Sequence, residues 1–360
     1  MKNEIFQLTK KLISIRTDSD NKEALGIGLE MLLDQVSEYT IERFTSNGVE
    51  SALIYNRNRG CRKFKIILNG HIDVLPGKES QYTPKVVGDR LYGAGSMDMK
   101  AGVACLLSTF KKVAKIVDYP IALQIVTDEQ PGGFNGTKYQ IDQGVRGEFV
   151  IAGEPTNLRI VNRAKGVLWL KISTKGRTAH SAYPWKGKNA IWKMLDFLND
   201  LREQYPIPDK QQWVTTINLS RTTTENMTFN KIPDSCEAWV DIRFIPEKQE
   251  ILKSIKSMLP KSFDIEIIEN EPAMMISENN EYIKKLQKIG KEILNKEVSS
   301  YSAQGTSDAR FYNQIGCNGI EFGPIGGGIG TDNEWVNIPS LKTYFNILTQ
   351  FLFYISKEGV

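Results

Sequence analysis

Histidine is the scarcest metal-binding residue type in this 360-residue chain, which contains only His71 and His180. A site built on three histidine ligands is therefore excluded. His71 lies in the segment GHID (70–73), and alternate side chains of an extended chain point to the same side. Asp73 could then hold one ring nitrogen of His71 while the other nitrogen binds a metal, or it could orient a partner from elsewhere.

Acidic side chains provide the other candidates for chemistry. Asp98 lies in a glycine-rich stretch, where it could enter a crowded site or simply begin a helix, since a carboxylate is favourable near a helix N-terminus. The run Asp128-Glu129-Gln130 follows one apolar segment, and Glu154 follows another. A solvated surface run is the usual interpretation of Asp-Glu, but it is weaker here because such positions, from four separate strand ends, would converge on one edge of one sheet.

Apolar, β-rich segments must position these residues. Residues 64–70, 121–127 and 148–152 predict buried strands, and they lead into His71, Asp128 and Glu154. Predicted helices at 3–16, 22–38 and 100–116 alternate with them. This alternation is typical of an α/β fold with its site at the carboxyl ends of the strands. We expect four acidic or imidazole positions, from four separate strand ends, to converge on one edge of one sheet.

The pattern changes near residue 163, where strands begin to alternate apolar and polar residues. The elements predicted there follow the ferredoxin-like order β-α-β-β-α-β: 165–173, 188–204, 212–221, 234–245, 247–259 and 263–269. The α/β pattern returns with a helix at 279–294, a strand at 318–322 and a helix at 339–356. We therefore predict a catalytic metal-binding domain, 1–163 plus 276–360, with an inserted domain at 164–275.

Composition narrows the class of protein. Hydrophobic residues make up 41% of the chain and charged residues 24%, which is ordinary for a globular protein. The net charge of +4 is dispersed, so neither nucleic-acid binding nor a membrane span is predicted. The first 15 residues lack the apolar stretch of a secretory signal, and the four cysteines form no CxxC pair. These features predict a cytoplasmic protein with reduced thiols.

Several motifs in order make the chain resemble the di-zinc aminoacylase and carboxypeptidase family, which includes carboxypeptidase G, acetylornithine deacetylase and succinyl-diaminopimelate desuccinylase. The resemblance covers essentially the whole chain. It is carried by NGHIDV (69–74), LYGAGSMDMKAG (91–102), VTDEQPGGFNGT (126–137), AGEPT (152–156), HSAYPWKGKNA (180–190), NKIPD (230–234), DIRFIP (241–246), GTSDARF (305–311) and GGGIGTDNEWV (326–336). It implies a zinc-exopeptidase-like catalytic domain and a ferredoxin-like dimerisation (lid) domain.

Carried over by position, the resemblance implies roles for five residues. His71, Asp98 and Glu154 match the ligands of one zinc, and Asp98 would bridge to a second metal. Asp73 matches the residue that orients His71. Glu129 matches the general base that takes a proton from the attacking water and passes it to the leaving nitrogen. The resemblance also implies a cis peptide after Asp98.

Two positions depart from the family pattern, and both belong to the second metal. Gln130 stands where the family has a glutamate ligand, and Gly330 stands where it has a histidine. A neutral amide is a poor zinc ligand and glycine has no side chain to offer. Because the loss is confined to one metal, it favours a site remodelled for a single ion. Zn²⁺ is expected, with Co²⁺ or Mn²⁺ as alternatives.

The inserted domain carries further candidates by resemblance. His180 would stabilise the developing oxyanion across a homodimer interface, and Asn230 with Arg243 would hold a substrate carboxylate. Arg243 could instead form a structural salt bridge with Asp241 or Asp234. Gly305 and Thr306 match a patch that binds the carboxylate end of the substrate. Trp185, beside His180, could be a specificity contact or ordinary packing.

The sequence thus predicts a metal-dependent amidohydrolase. Its substrate would be a small N-acyl amino acid or dipeptide with a free carboxylate, attacked by a metal-activated water with Glu129 as base. One alternative keeps the fold but transfers the acyl group to an amine. Another is a pseudoenzyme that only binds a carboxylated ligand, an alternative raised by Gln130 and Gly330.

Overall fold

A computed structural model of the chain describes residues 2–357. The helices are α1 (Lys2–Ile13), α2 (Lys22–Leu33), α3 (Lys100–Val113), α4 (Thr137–Asp142), α5 (Ala190–Gln204), α6 (Ile251–Met258), α7 (Glu281–Leu294), α8 (Ala309–Gln314) and α9 (Ile338–Lys357). The predicted helices at 3–16, 22–38, 100–116, 188–204, 247–259, 279–294 and 339–356 are all present, with ends that differ by a few residues.

The strands before the inserted domain are β1 (Thr40–Ser46), β2 (Val49–Tyr55), β3 (Lys63–His71), β4 (Lys85–Val87), β5 (Arg90–Tyr92), β6 (Ile121–Val126), β7 (Arg146–Ala152) and β8 (Ile160–Ala164). They are followed by β9 (Gly166–Lys175), β10 (Thr216–Thr223), β11 (Ser235–Phe244), β12 (Phe263–Glu271), β13 (Met274–Met275), β14 (Ser300–Ala303), β15 (Asn318–Glu321), β16 (Gly326–Gly327) and β17 (Trp335–Asn337).

The chain divides into two compact units. Unit 1 comprises the described residues up to Asn162, Ile276–Tyr301 and the described residues from Ser307 onward. Unit 2 comprises Arg163–Met275 and Ser302–Thr306. The short segment 302–306 therefore groups with unit 2, although it follows α7 in the chain. The outermost residues of the predicted catalytic domain, 1 and 358–360, lie outside the described residues.

Unit 1 is built on a mixed sheet with the strand order β1-β2-β6-β3-β7-β15-β8, in which the four central strands β6, β3, β7 and β15 are parallel. Strand β3 pairs in parallel with both β6 and β7, and the end of β3 at His71 lies opposite Val126. Strand β6 is buried along its whole length. Because parallel strands end at the same edge of a sheet, the residues that follow β3, β6 and β7 come together there.

The β1–β2 hairpin is not among the predicted elements. Its turn is Asn47-Gly48, and both residues adopt positive φ angles, 49° and 74°. Positive φ at both central positions defines the two-residue turn that Asn-Gly favours in hairpins. The turn dipeptide is thus a signal in the sequence that could have predicted this pair of strands.

Unit 2 has the ferredoxin-like order β9-α5-β10-β11-α6-β12, and its sheet is antiparallel with the order β10-β11-β9-β12. Residues along β11 alternate between buried and half-buried positions, so that one face packs on the core formed with α5 and α6. The predicted fold class is confirmed. No helix in residues 2–357 is both long and apolar enough to cross a membrane.

Candidate active site

His71 is the last residue of β3, and its side chain is buried. Its Nε2 atom lies 3.1 Å from Asp98 Oδ1 and 3.6 Å from Glu154 Oε1. One ligand atom from each of these three residues falls within a cluster in which no separation exceeds 4.8 Å. One imidazole nitrogen and two carboxylate oxygens are a donor set that suits a catalytic divalent metal.

Glu154 adds a second observation that fits a cation. Its Oε1 atom is buried and has no hydrogen-bond partner among the described residues. Burial raises the pKa of Glu154 to about 7. An orphaned carboxylate oxygen aimed into a cluster of ligands is costly unless a cation or a proton satisfies it. The residues present therefore fit a metal ion.

Asp98 is brought to the site by a different kind of element from the one predicted. It does not follow a strand of the large sheet but lies between β5 and α3, and the peptide bond after it is cis. The expectation of four strand ends is therefore wrong: three strand ends and one turn supply the site. The turn needs Gly95, whose φ of +72° is unfavourable for other residues.

A buried glutamate from the far end of the chain holds this turn. The Glu334 carboxylate accepts hydrogen bonds from the backbone N–H groups of Gly95, Met97 and Asp98, at 3.2, 2.7 and 3.0 Å. Sequence reasoning does not identify Glu334 as a site residue, although it lies within the quoted motif at 326–336. The contact of this buried carboxylate with three backbone amides forms only in the folded chain, so it could not be predicted from the sequence.

Asp73 performs both roles that its place in the sequence allows. Its Oδ1 atom is 3.4 Å from His71 Nδ1, although the closer contact of Nδ1, at 3.0 Å, is with the Asp73 backbone carbonyl. Its carboxylate also accepts the backbone N–H groups of Glu129 and Gln130, at 3.2 and 2.8 Å. One side chain thus faces the imidazole and holds the segment that carries the predicted base.

Glu129 follows β6 and lies beside this candidate metal cluster, with Oε2 at 3.7 Å from His71 Nε2. Only 13% of its side chain is exposed. Burial raises the pKa of Glu129 well above its usual value, His71 opposes this, and Glu154 adds to the increase. A buried carboxyl group with a raised pKa is suited to accept a proton and return it.

The electrostatics of His71 are dominated by its carboxylate neighbours. Burial lowers the pKa of His71, but Glu154, Asp73 and Asp98 together raise it well above its usual value. A histidine must be neutral to bind a metal through nitrogen. Metal binding is therefore expected to release a proton from this cluster.

Gln130 and Gly330, the two positions that depart from the family pattern, face the same small cavity. Its volume is about 50 Å³, and Asp98, Thr331 and Glu334 also line it. The Gln130 side chain donates from Nε2 to Asp98 Oδ2 and to Glu129 Oε2, both at 3.3 Å. Gly330 has a φ of +67° and contributes no side chain to the cavity.

The residues predicted to contact the substrate, apart from those around His71, all belong to unit 2. His180 and Asn230 are both exposed. They lie close together, since the backbone N–H of Ser181 donates to the Asn230 carbonyl at 2.9 Å. Arg243 lies near the far end of β11 and makes a two-point ion pair with Asp241, at 2.9 and 3.2 Å. The salt-bridge alternative for Arg243 with Asp241 is therefore observed.

Two more candidates lie in the short segment 302–306, which also groups with unit 2. Gly305 is exposed, and nothing lies within 4 Å of the position a Cβ would take there. Thr306 is half-buried. Trp185 is 73% exposed, so it is not ordinary core packing. Its ring makes an edge contact with Tyr183, which in turn lies near the His180 ring.

Metal-free protein is expected to lose stability as the pH rises from 5 to 8. Burial raises the pKa of Glu154, Asp128 and Glu334 to about 7 and that of Glu321 to about 8. The folded state keeps protons that the unfolded state has released, so the free energy of unfolding falls with pH. The raised pKa of His71 acts in the same direction. We expect a fall in Tm of about 5 °C or more, measured by calorimetry.

Two comparisons check this pH dependence. Saturation with metal should reduce the fall in Tm between pH 5 and pH 8, since the ion replaces the proton on Glu154. Glu321→Gln should also reduce it, whereas Glu203→Gln, a change at an exposed position, should leave it unchanged. A Tm of the metal-free protein that stays constant or rises with pH would contradict the prediction.

Comparison with known proteins gives matches along most of the chain. The model of the family described as Peptidase family M20/M25/M40 matches residues 67–354. A succinyl-diaminopimelate desuccinylase of Rickettsia massiliae (strain Mtu5) is 28% identical over 322 residues, which cover 81% of this chain and 84% of the relative.

Solved structures share the fold. A tripeptidase from Staphylococcus aureus superposes with a TM-score of 0.79 at 18% identity, and the match covers 99% of each chain. A Bacillus subtilis protein, described as a dinuclear metal binding peptidase from the M20 family, gives a TM-score of 0.69 at 12% identity. That match covers 99% of this chain and 98% of the other.

A buried histidine, two carboxylates that could bind a metal with it and a neighbouring glutamate, gathered at the carboxyl edge of parallel strands, are the features of a metal-dependent hydrolase. The chain belongs to the M20/M25/M40 peptidase family, whose model matches well over half of its length. The resemblance carried by the motifs is confirmed, and with it the prediction of a metallo-hydrolase enzyme.

Proposed function

We propose that the chain hydrolyses the amide bond of a small N-acyl amino acid or dipeptide that bears a free carboxylate, with a single metal ion. The observation that carries this proposal is one complete ligand cluster, His71, Asp98 and Glu154, with Glu129 beside it. The name of the desuccinylase relative supports an N-acyl amino acid as the substrate class.

A divalent metal held by His71, Asp98 and Glu154 would supply Lewis acidity, which lowers the pKa of water and polarises the amide carbonyl. Glu129 accepts a proton at its carboxylate from the water that attacks the carbonyl carbon. As the C–N bond breaks, Glu129 returns that proton to the leaving nitrogen. Asp73 keeps Glu129 in place through the backbone and keeps the His71 ring oriented.

The single-metal part of the proposal rests on Gln130 and Gly330. A second ion would have Asp98 as its only charged ligand among these positions, because the amide of Gln130 is neutral and Gly330 has no side chain. A carboxylate site with so few charged ligands binds divalent metals poorly. Zn²⁺ suits the retained set of one nitrogen and two oxygens, and Co²⁺ or Mn²⁺ can replace it.

Residues of unit 2 would bind the substrate. Asp241 occupies Nε and Nη2 of Arg243, which leaves the Nη1 N–H groups for a substrate carboxylate. Asn230, Gly305 and Thr306 would add hydrogen bonds at the carboxylate end, and His180 would stabilise the oxyanion.

A homodimer belongs to the same proposal. Arg243 lies near one end of β11, and Asn230, the neighbour of His180, precedes the other end. Ten strand residues span about 30 Å. This separation along β11 supports a dimer, in which a second copy of unit 2 would supply His180 to a substrate held by Arg243. The mass of the protein in solution, measured by light scattering, tests this part.

The activity itself is tested with chelator-treated protein and a panel of N-succinyl and N-acetyl amino acids and dipeptides. We expect hydrolysis to return as Zn²⁺, Co²⁺ or Mn²⁺ is added and to reach its maximum at about one equivalent per chain. Elemental analysis should find the same ratio. No hydrolysis across the panel with any metal would refute the proposal, and a product formed with an added amine would indicate acyl transfer instead.

A further inference from the structure

Gln130 makes contacts that a residue left over from a lost metal site would not need. Its Nε2 atom lies 3.3 Å from Asp98 Oδ2 and 3.3 Å from Glu129 Oε2. Its backbone N–H donates to Asp73 Oδ2 at 2.8 Å. The residue therefore touches a predicted ligand, the predicted base and the side chain that holds the segment of that base.

The chemistry of its neighbours determines the orientation of the Gln130 amide. In the state in which Glu129 can accept a proton, both carboxylates are ionised and can only accept hydrogen bonds, so the NH₂ end must face Asp98 and Glu129. An amide nitrogen carries two N–H groups, which is one for each carboxylate. The carbonyl end in this position would place an oxygen against two oxygens.

The two oxygens of Asp98 are thereby divided between different partners. Oδ1 lies 3.1 Å from His71 Nε2, within the metal-binding cluster. Oδ2 receives the Gln130 amide on the side of the cavity lined by Gly330. A carboxylate whose second oxygen already holds a donor is fixed as a single-oxygen ligand.

We propose that the Gln130 carboxamide is a positioning group that stands in for a second metal: one N–H fixes Asp98 through Oδ2, and the other orients the Glu129 carboxylate. This role of Gln130 rests on the proposed function, in which Asp98 is a ligand and Glu129 is the base. A neutral donor also suits this place, because the carboxyl groups of Asp98 and Glu129 both lie within 3.3 Å of it.

The test uses three substitutions in the full-length protein, each measured with one equivalent of Co²⁺. Gln130→Ala removes both N–H groups, Gln130→Glu keeps the shape but replaces the donors with acceptors, and Gln143→Ala is the control. Gln143 is an exposed glutamine in unit 1, outside the site. The readouts are the Co²⁺ dissociation constant, the visible absorption spectrum of bound Co²⁺, and kcat and KM separately.

We expect Gln130→Ala to weaken Co²⁺ binding by about 10–100-fold, and we expect both Gln130→Ala and Gln130→Glu to change the Co²⁺ spectrum, because Asp98 is no longer held through Oδ2. We also expect kcat to fall by about 10-fold or more, with KM within about threefold of the wild-type value. Gln143→Ala should match the wild type throughout.

Wild-type Co²⁺ affinity and spectrum in Gln130→Ala would overturn the proposal, and so would a Gln130→Glu variant that matches the wild type at one equivalent. Thermal unfolding of each variant checks that it is folded; Gln130 is only partly buried, so the fold should be retained. The metal-binding readouts do not depend on turnover. An inactive wild type would therefore refute the proposed hydrolysis while leaving the role of Gln130 to be decided by Co²⁺ binding.

Discussion

Glu129→Gln is expected to lower kcat by about 10²–10⁴-fold, which is the usual contribution of a general base. Glutamine keeps the size of the side chain, but its amide cannot take the proton from the attacking water or return it to the nitrogen. KM should stay within about threefold, because Glu129 is not among the residues proposed to bind the substrate. Steady-state kinetics on the best substrate of the panel measures both quantities.

The metal content of the Glu129→Gln variant shows whether its loss of kcat comes from the missing base or from a damaged metal site. Glu129 lies outside the proposed ligand set, so Glu129→Gln should still bind about one equivalent of Zn²⁺. Glu23→Gln, an exposed change in the same unit, is the matched control and should leave kcat unchanged. If Glu129→Gln kept most of its kcat, another group would have to be the base.

The double substitution Gln130→Glu with Gly330→His is expected to raise the bound Zn²⁺ from one to two equivalents per chain. It places a carboxylate and an imidazole on the cavity that already exposes Asp98, so a second three-ligand set becomes available. Isothermal titration of chelator-treated protein, supported by elemental analysis, measures the stoichiometry.

The backbone at Gly330 limits how cleanly this variant forms. Its φ of +67° costs a non-glycine residue about 1–2 kcal/mol, and a Cβ would lie 3.3 Å from Leu75 Cδ1. We therefore expect a lower Tm for the metal-free variant and recovery when metal is added. Gly330→His alone should remain at one equivalent. A double variant that also stays at one would show that these two positions do not set the metal content.

The strand ends are predictable because their pattern is local. A buried strand appears in the sequence as a short apolar run, and the residue after it must emerge at the edge of the sheet. Local pattern alone therefore places His71, Glu129 and Glu154 at that edge. It fails for Asp98, which a turn with positive φ and a cis peptide bring to the same place. It also passes over the β1–β2 hairpin, although Asn47-Gly48 marks its turn.

The motifs, taken in order and compared with the family that they resemble, are enough to predict the class of the protein, the candidate ligand set and the absence of two second-metal side chains. None of these depends on how distant segments pack. The proposed role of Gln130 does depend on such packing, since its contact with Asp98 spans 32 positions and exists only in the folded chain. The same holds for Glu334, which supports the Asp98 turn across 236 positions. Such contacts arise when the chain closes on itself, and no local periodicity encodes them.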